Sequence, residues 1–318
     1  MSYPAPCQTT SHAHDAALYF SSHEVWHHAW FTSDEPLPPN MAGRADMTWT
    51  CSWRTYGSNK TLTGAALFSD LSVLWYKVEW DMSRERQAGF AAQVKKEARY
   101  LDRPEPFAAE ELWYACSTYG EQVALFAENA ERQGRPVGHG ECWDLASAAL
   151  ASVKDLPAPV PSISRTHGHL IFSGSAKGKD PKRHQKGRWR GGDTNVRRGD
   201  IVEWRKVRLA SPDGRGWSDL GNPDHTAVIV NTYLSSDPQA KSQPKDGDSL
   251  APWEVGILEV IEQSQGKVPK RAEYNLAGME SGEIWIYRPV SMLDYVGIDQ
   301  LKADWEQASS RGVIQYVS

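Results

Sequence analysis

Cysteine is scarce in this chain, and the few cysteines present are unpaired in sequence. Cys7, Cys51, Cys116 and Cys142 are widely scattered with no CxxC pair, which excludes a disulfide framework or a cysteine zinc site as the organising feature. No apolar run approaches the ~20 residues of a membrane helix, and no charged N-terminal region leads into an apolar one. No membrane span is expected, and a cytoplasmic setting with reduced thiols follows. No internal repeat is present either. A net charge of −5 on 318 residues is small and of the wrong sign for general nucleic-acid binding, so no nucleic-acid partner is expected.

Aromatic and apolar residues, in contrast, are plentiful. With 40% hydrophobic residues and 14 tryptophans, the chain has ample material for one large core. Residues 1–16 are polar and expected to lack structure, and the Pro-rich stretch from Phe31 to Asn40 is a connector that no helix crosses intact. Met47–Tyr56 and Leu71–Asp81 read as strands of a small antiparallel unit. Over residues 107–133, Leu112, Cys116, Tyr119, Val123, Ala127 and Ala130 recur at steps of three and four. That spacing predicts one long amphipathic helix ending before Gly134, with Cys116 on its buried stripe. Further strands are expected at His169–Phe172, Ile201–Trp204, Thr226–Val230, Ile257–Gln263 and Glu283–Tyr287, and a helix at Ile298–Ala308. The resulting organisation is a single domain over 17–290, comprising an N-terminal strand-rich elaboration (17–106) and a core (107–290), followed by a tail at 291–318.

Charge is spread unevenly. Residues 176–198 carry nine Lys or Arg against Asp180 and Asp193. That segment is +7, which leaves −12 on the remainder. It reads as an exposed loop, with contact to an acidic partner or to anionic lipid as the functional alternative and Trp189 as its aromatic anchor.

The chemistry centres on Cys142. In Gly138–Ala151 a glycine-rich turn runs into an apolar helix with the thiol at its start, among unpaired N–H groups and the positive end of the helix dipole, which favour thiolate. His225, opening an apolar strand, supplies a candidate base, and Glu262, on the next strand-like segment, a carboxylate to orient it. Cysteine on a helix followed by histidine and a polar group on strands is the arrangement of papain-like nucleophilic catalysis. A rival lies in His23-Glu24-Val25-Trp26-His27, a literal HExxH match that on a helix would pair His23 and His27 on zinc with Glu24 as base. Only 22 residues precede it and a Pro-rich stretch follows, so no zinc or other cofactor is expected.

The runs Gly140–Leu145, Arg198–Trp204, Asp224–Val230 and Val260–Gln263 resemble the CHAP and NlpC/P60 cysteine peptidases and amidases. More narrowly, the stretch from about Trp26 to Pro289 resembles the C-terminal cysteine-proteinase-fold domain of fungal myosin-tail-interacting proteins of cortical actin patches. The resemblance implies an α+β, papain-like NlpC/P60 fold, with Cys142 as nucleophile, His225 as base and Glu262 as its orienting group. A protein or peptide substrate, cleaved at an amide, isopeptide or thioester bond, would follow. The family's setting implies an alternative, a non-catalytic binding module of cytoskeletal or endocytic assemblies. Two positions depart from the peptidase pattern: Glu141 stands before the cysteine in place of a neutral donor, and Ser264 follows where an Asn is often found.

Overall fold

Two alternating patterns of buried residues build two separate sheets in the computed structural model, which describes residues 3–193, 195–211, 215–241, 243–309 and 315–316. The chain divides into two compact units: residues 1–104 with 296–318, and residues 105–295. This differs from the single domain expected over 17–290. The segment expected as a tail is divided as well, because its last residues belong to the first unit.

In the first unit, strands β1 (Met47–Tyr56), β2 (Asn59–Phe68), β3 (Val73–Asp81) and β4 (Lys95–Leu101) form an antiparallel meander, and Gln315–Tyr316 pairs with β4 at the edge. Gly57, at φ 60°, turns β1 into β2. Gly64 on β2 lies under the Tyr76 ring, and a Cβ there would fall 2.0 Å from it. Helix α1 (His12–Ala17) buries Ala13, Ala16 and Ala17, so the supposedly unstructured N-terminus is part of the core. Three short apolar side chains on one face outweigh the polar composition around them. Residues 1–2 lie outside the described residues. Phe20, Trp26, Phe31 and Tyr76 complete an aromatic cluster. The predicted helix at Ile298–Ala308 is reduced to Trp305–Ser309; in the residues before it, the Lys302 carbonyl accepts the Trp75 indole N–H and the Ala303 carbonyl accepts the Ser52 hydroxyl.

The second unit begins with helices α2 (Ala109–Ala115), α3 (Glu121–Gln133) and α4 (Cys142–Ala151). The periodic stripe predicted one helix over 107–133, and a π turn at Cys116–Gly120 interrupts it. Backbone crowding accompanies the break: a Cβ on Gly120 would lie 2.6 Å from the Arg198 carbonyl oxygen. Gly134, at φ 60°, terminates α3 as expected of a C-terminal glycine.

Seven antiparallel strands follow: β5 (His169–Lys177), β6 (Gln185–Trp189), β7 (Ile201–Ala210), β8 (Trp217–Tyr233), β9 (Ile257–Glu262), β10 (Lys270–Asn275) and β11 (Met279–Arg288). Their order in the sheet is β10-β9-β8-β7-β11-β5-β6. Leu145, Ala146, Ala149 and Leu150 of α4 join Val123, Ala124 and Ala127 of α3 in packing against Ile201, Val228, Val230 and Ile261 of the sheet. The basic segment is therefore a β5–β6 hairpin rather than a loop. Its Trp189, expected to be an exposed anchor, is only 1% exposed and donates its indole N–H to the Asp193 carbonyl. At the end of β11, Arg288 is fully buried on Asp193 and Asp200. Among the described residues, no helix is long and apolar enough to cross a membrane.

Candidate active site

The turn into α4 is fixed before the helix starts. Gly138 (φ 59°) and Gly140 (φ 85°) adopt left-handed conformations. Asp144, in the first helical turn, accepts the backbone N–H groups of His139 and Glu141 at 2.7 and 3.2 Å, satisfying donors that the helix leaves unpaired. Gly140 has no room for a side chain, since a Cβ would lie 2.5 Å from the Gly266 Cα. Gln263 completes the attachment. Its amide nitrogen donates to the Val137 and Glu141 carbonyls at 2.8 and 2.9 Å, and its amide oxygen accepts Val137 N–H at 3.0 Å. Cys142, the first residue of α4, is thereby held half-buried at the helix start.

The same strand end carries the carboxylate. β9 stops at Glu262, opposite Ala227 of β8, and His225 lies two residues beyond that last pair on the same strand face. His225 Nε2–H donates to Glu262 Oε2 at 2.8 Å, and Cys142 lies close enough to the imidazole to help raise its pKa. The three residues singled out in the sequence are thus brought close together. His225 is 9% exposed and Glu262 4%, so the pair is shielded from water and salt on most sides.

Three further side chains hold this arrangement. Tyr274 of β10 donates its hydroxyl to both Glu262 oxygens at 2.9 and 3.0 Å, and Lys270 Nζ lies 3.4 Å from Glu262 Oε1. The buried Trp204 indole lies nearly parallel to the His225 ring at 5.8 Å and meets the Tyr274 ring edge-on at 5.4 Å. Periodicity did not reveal β10, so Tyr274 carried no signal in the sequence. Gln263 is adjacent to Glu262 in sequence, yet its long-range bonds to the Cys142 turn were invisible there.

Electrostatics follow from these contacts. Burial opposes charging of His225, but hydrogen bonding with Cys142 and then Glu262 outweighs it and raises the imidazole pKa from 6.5 to about 9. Burial likewise works against the Glu262 carboxylate, and the His225, Tyr274 and Lys270 contacts overcome it, leaving the carboxyl below its ordinary range. For Tyr274, burial and then the Glu262 charge hold the phenol far above its ordinary range, so it remains a donor. Glu141, which would oppose a thiolate if turned inward, is exposed, and Ser264 is half-buried.

The rival zinc motif does not assemble. Residues 23–27 include no helix, and His23, Glu24 and His27 are exposed, so the one-turn spacing that would bring two imidazoles together is missing. No group of three metal-ligating side chains occurs among the described residues. A second histidine–carboxylate contact does occur: His167 bonds to Ser162 Oγ at 2.8 Å and Glu203 Oε2 at 3.3 Å, and Thr226 donates to the same carboxylate. His167 and Glu203 are 0% and 1% exposed, which closes this cluster to substrate. It fastens the 162–167 loop, whose Ser164 carbonyl accepts the Trp143 indole N–H at 3.0 Å.

Comparison with known proteins agrees with this architecture. The chain is 28% identical over 279 residues to Altered inheritance of mitochondria protein 3 of Debaryomyces hansenii, a match covering 82% of this chain and 26% of that protein. The chain therefore spans about a quarter of its relative's length. No solved structure matches. Residues 97–300 match the AIM3/BBC1 cysteine proteinase-fold domain, and the chain belongs to that family.

Proposed function

We propose that the second unit is a papain-like thiol hydrolase of NlpC/P60 type that cleaves an amide, isopeptide or thioester bond of a protein or peptide. The observation that carries this reading is the His225 imidazole, bonded to Glu262 at 2.8 Å and close enough to Cys142 for it to raise the imidazole pKa. His225 takes the thiol proton, giving a thiolate–imidazolium pair. The sulfur attacks the carbonyl carbon, a C–S bond forms, and negative charge collects on the carbonyl oxygen. For an amide, the C–N bond then breaks as the imidazolium protonates the leaving amine. Water attacks the resulting thioester, its proton passes to His225, and the carboxylate product leaves with the thiol restored. Glu262 accepts Nε2–H throughout, which keeps Nδ1 for the sulfur and stabilises the imidazolium. The Glu141 N–H is already taken by Asp144, so the Cys142 N–H is the backbone donor assigned to the oxyanion.

Chloroacetamide labelling of the folded protein tests the reading. Cys142 is expected to react faster than Cys51 and Cys116, and His225→Ala should remove the advantage. If Cys142 reacts no faster than an ordinary free thiol and His225→Ala changes nothing, the hydrolase reading fails. A non-catalytic binding module is then the better account, in keeping with a match that covers only 26% of the relative.

A further inference from the structure

The β5–β6 hairpin presents cations that the rest of the chain leaves unneutralised. Lys177, Lys179, Arg183, Lys186, Arg188 and Arg190 are exposed, and no ion pair involves any of them among the described residues. Their neighbours differ: Lys182 pairs with Asp237, Arg197 with Asp193, and Arg198 with Glu121 and Glu128. Of the nearby carboxylates, Asp248 pairs with Lys241 and Glu283 with Arg205. The uncompensated charge therefore belongs to one edge of the sheet.

That edge is rigid. Along β6, buried Gln185 and Trp189 alternate with exposed Lys186 and Arg188, and Arg190 N–H extends the pairing to the Ile171 carbonyl at 2.8 Å. Gln185 anchors the strand from beneath, donating to the Leu276 and Met279 carbonyls and accepting Trp253 N–H. Alternate residues on a strand are ~6.7 Å apart, so Lys186, Arg188 and Arg190 form a straight comb about 13 Å long. An extended polypeptide repeats its own side chains at the same spacing on one face. The outer backbone edge of β6 is partly taken, with Leu250 N–H on the Gly187 carbonyl and Trp189 N–H on the Asp248 carbonyl. Recognition must therefore come from the side chains.

We infer that the Lys186–Arg188–Arg190 comb is a docking surface for an extended acidic polypeptide segment with carboxylates at alternate positions. A single-stranded nucleic acid fits less well, because such binding relies on exposed aromatic platforms and the strand's Trp189 is buried. An anionic membrane is also disfavoured. The cations lie along a line rather than over a plane, and the remaining charge of −12 would be repelled by a broad anionic surface.

The full chain is titrated by fluorescence anisotropy at low salt with a labelled peptide alternating glutamate and serine. Parallel titrations use a peptide of the same composition with its glutamates in one block, oligothymidylate, and phosphatidylserine vesicles. The alternating peptide is expected to bind tightest and to weaken as salt rises. The combined Lys186→Glu, Arg188→Glu and Arg190→Glu variant should lose roughly tenfold or more while keeping its melting temperature and its Cys142 labelling rate. A milder Lys186→Gln, Arg188→Gln and Arg190→Gln variant should lose part of the affinity if charge reversal impairs folding. Equal affinity for the alternating and block peptides overturns the inference. So does tighter binding of oligothymidylate or vesicles, or unchanged binding by both variants.

Discussion

Replacing Glu262 by Gln removes one charge from a buried cluster and should change how His225 titrates. In the folded protein the imidazole pKa stands at about 9 against 6.5 in its ordinary state, a difference of roughly 2.5 units, or about 3 kcal/mol at 1.36 kcal/mol per unit. Because His225 is only 9% exposed, solvent screening takes little from that figure. The folded value lies above the unfolded one. The contribution is therefore fully present below pH 6.5 and is lost as pH rises towards 9. Burial opposes the charged imidazole, so with Gln at 262 only the Cys142 contact remains to counter it. The His225 midpoint should fall by at least about one unit, and the loss of stability between pH 6.5 and 9 should shrink by at least ~1.4 kcal/mol. Carbon-labelled histidine NMR, with His225 assigned by its disappearance in His225→Gln, gives the midpoint. Urea unfolding at the two pH values gives the stability. A midpoint that stays near 9 in Glu262→Gln, or one near 6.5 in the unmodified protein, refutes the assignment of the charge to this contact.

Gln263→Ala should release the turn before Cys142 by removing three hydrogen bonds, at a cost of about 2 kcal/mol. Chloroacetamide labelling of Cys142 should slow while the His225 NMR midpoint stays in place; an unchanged labelling rate would show that the clamp does not position the thiol. Arg288→Met leaves Asp193 and Asp200 without their buried cation, and should destabilise by about 3–5 kcal/mol. Calorimetry of the variant checks this, and a melting temperature within a degree or so of the unmodified protein would contradict the ion cluster's role.

Cys142, His225 and Glu262 were legible in the sequence because each depends on local pattern: a glycine-rich turn into a helix, and polar residues at the start or end of apolar strand runs. The strands β7 to β9 were legible for the same reason. What escaped depends on partners distant in the chain. The π turn at Cys116–Gly120 reflects backbone approaching from Arg198, which no periodicity in 107–133 encodes. Trp189 reads as exposed among seven nearby cations, and only pairing with β5 turns it inward. Tyr274 and Gln263 act across the sheet on groups far away in sequence. α1 was overlooked because its buried face consists of alanines, which contribute little apolar signal.

The first unit is assembled from both ends of the sequence, with Trp75 bonded to Lys302 and β4 paired with Gln315–Tyr316. During synthesis, residues 1–104 therefore leave the ribosome without their last pieces and wait while about 190 further residues are made. At about 5–20 residues per second that delay is roughly 10–40 s. Throughout it the face that receives Lys302 and Ala303 lacks its cover, and the β4 edge lacks a neighbour. The second unit, continuous over 105–295, has no such wait, so the order of completion during translation runs opposite to the order of the sequence.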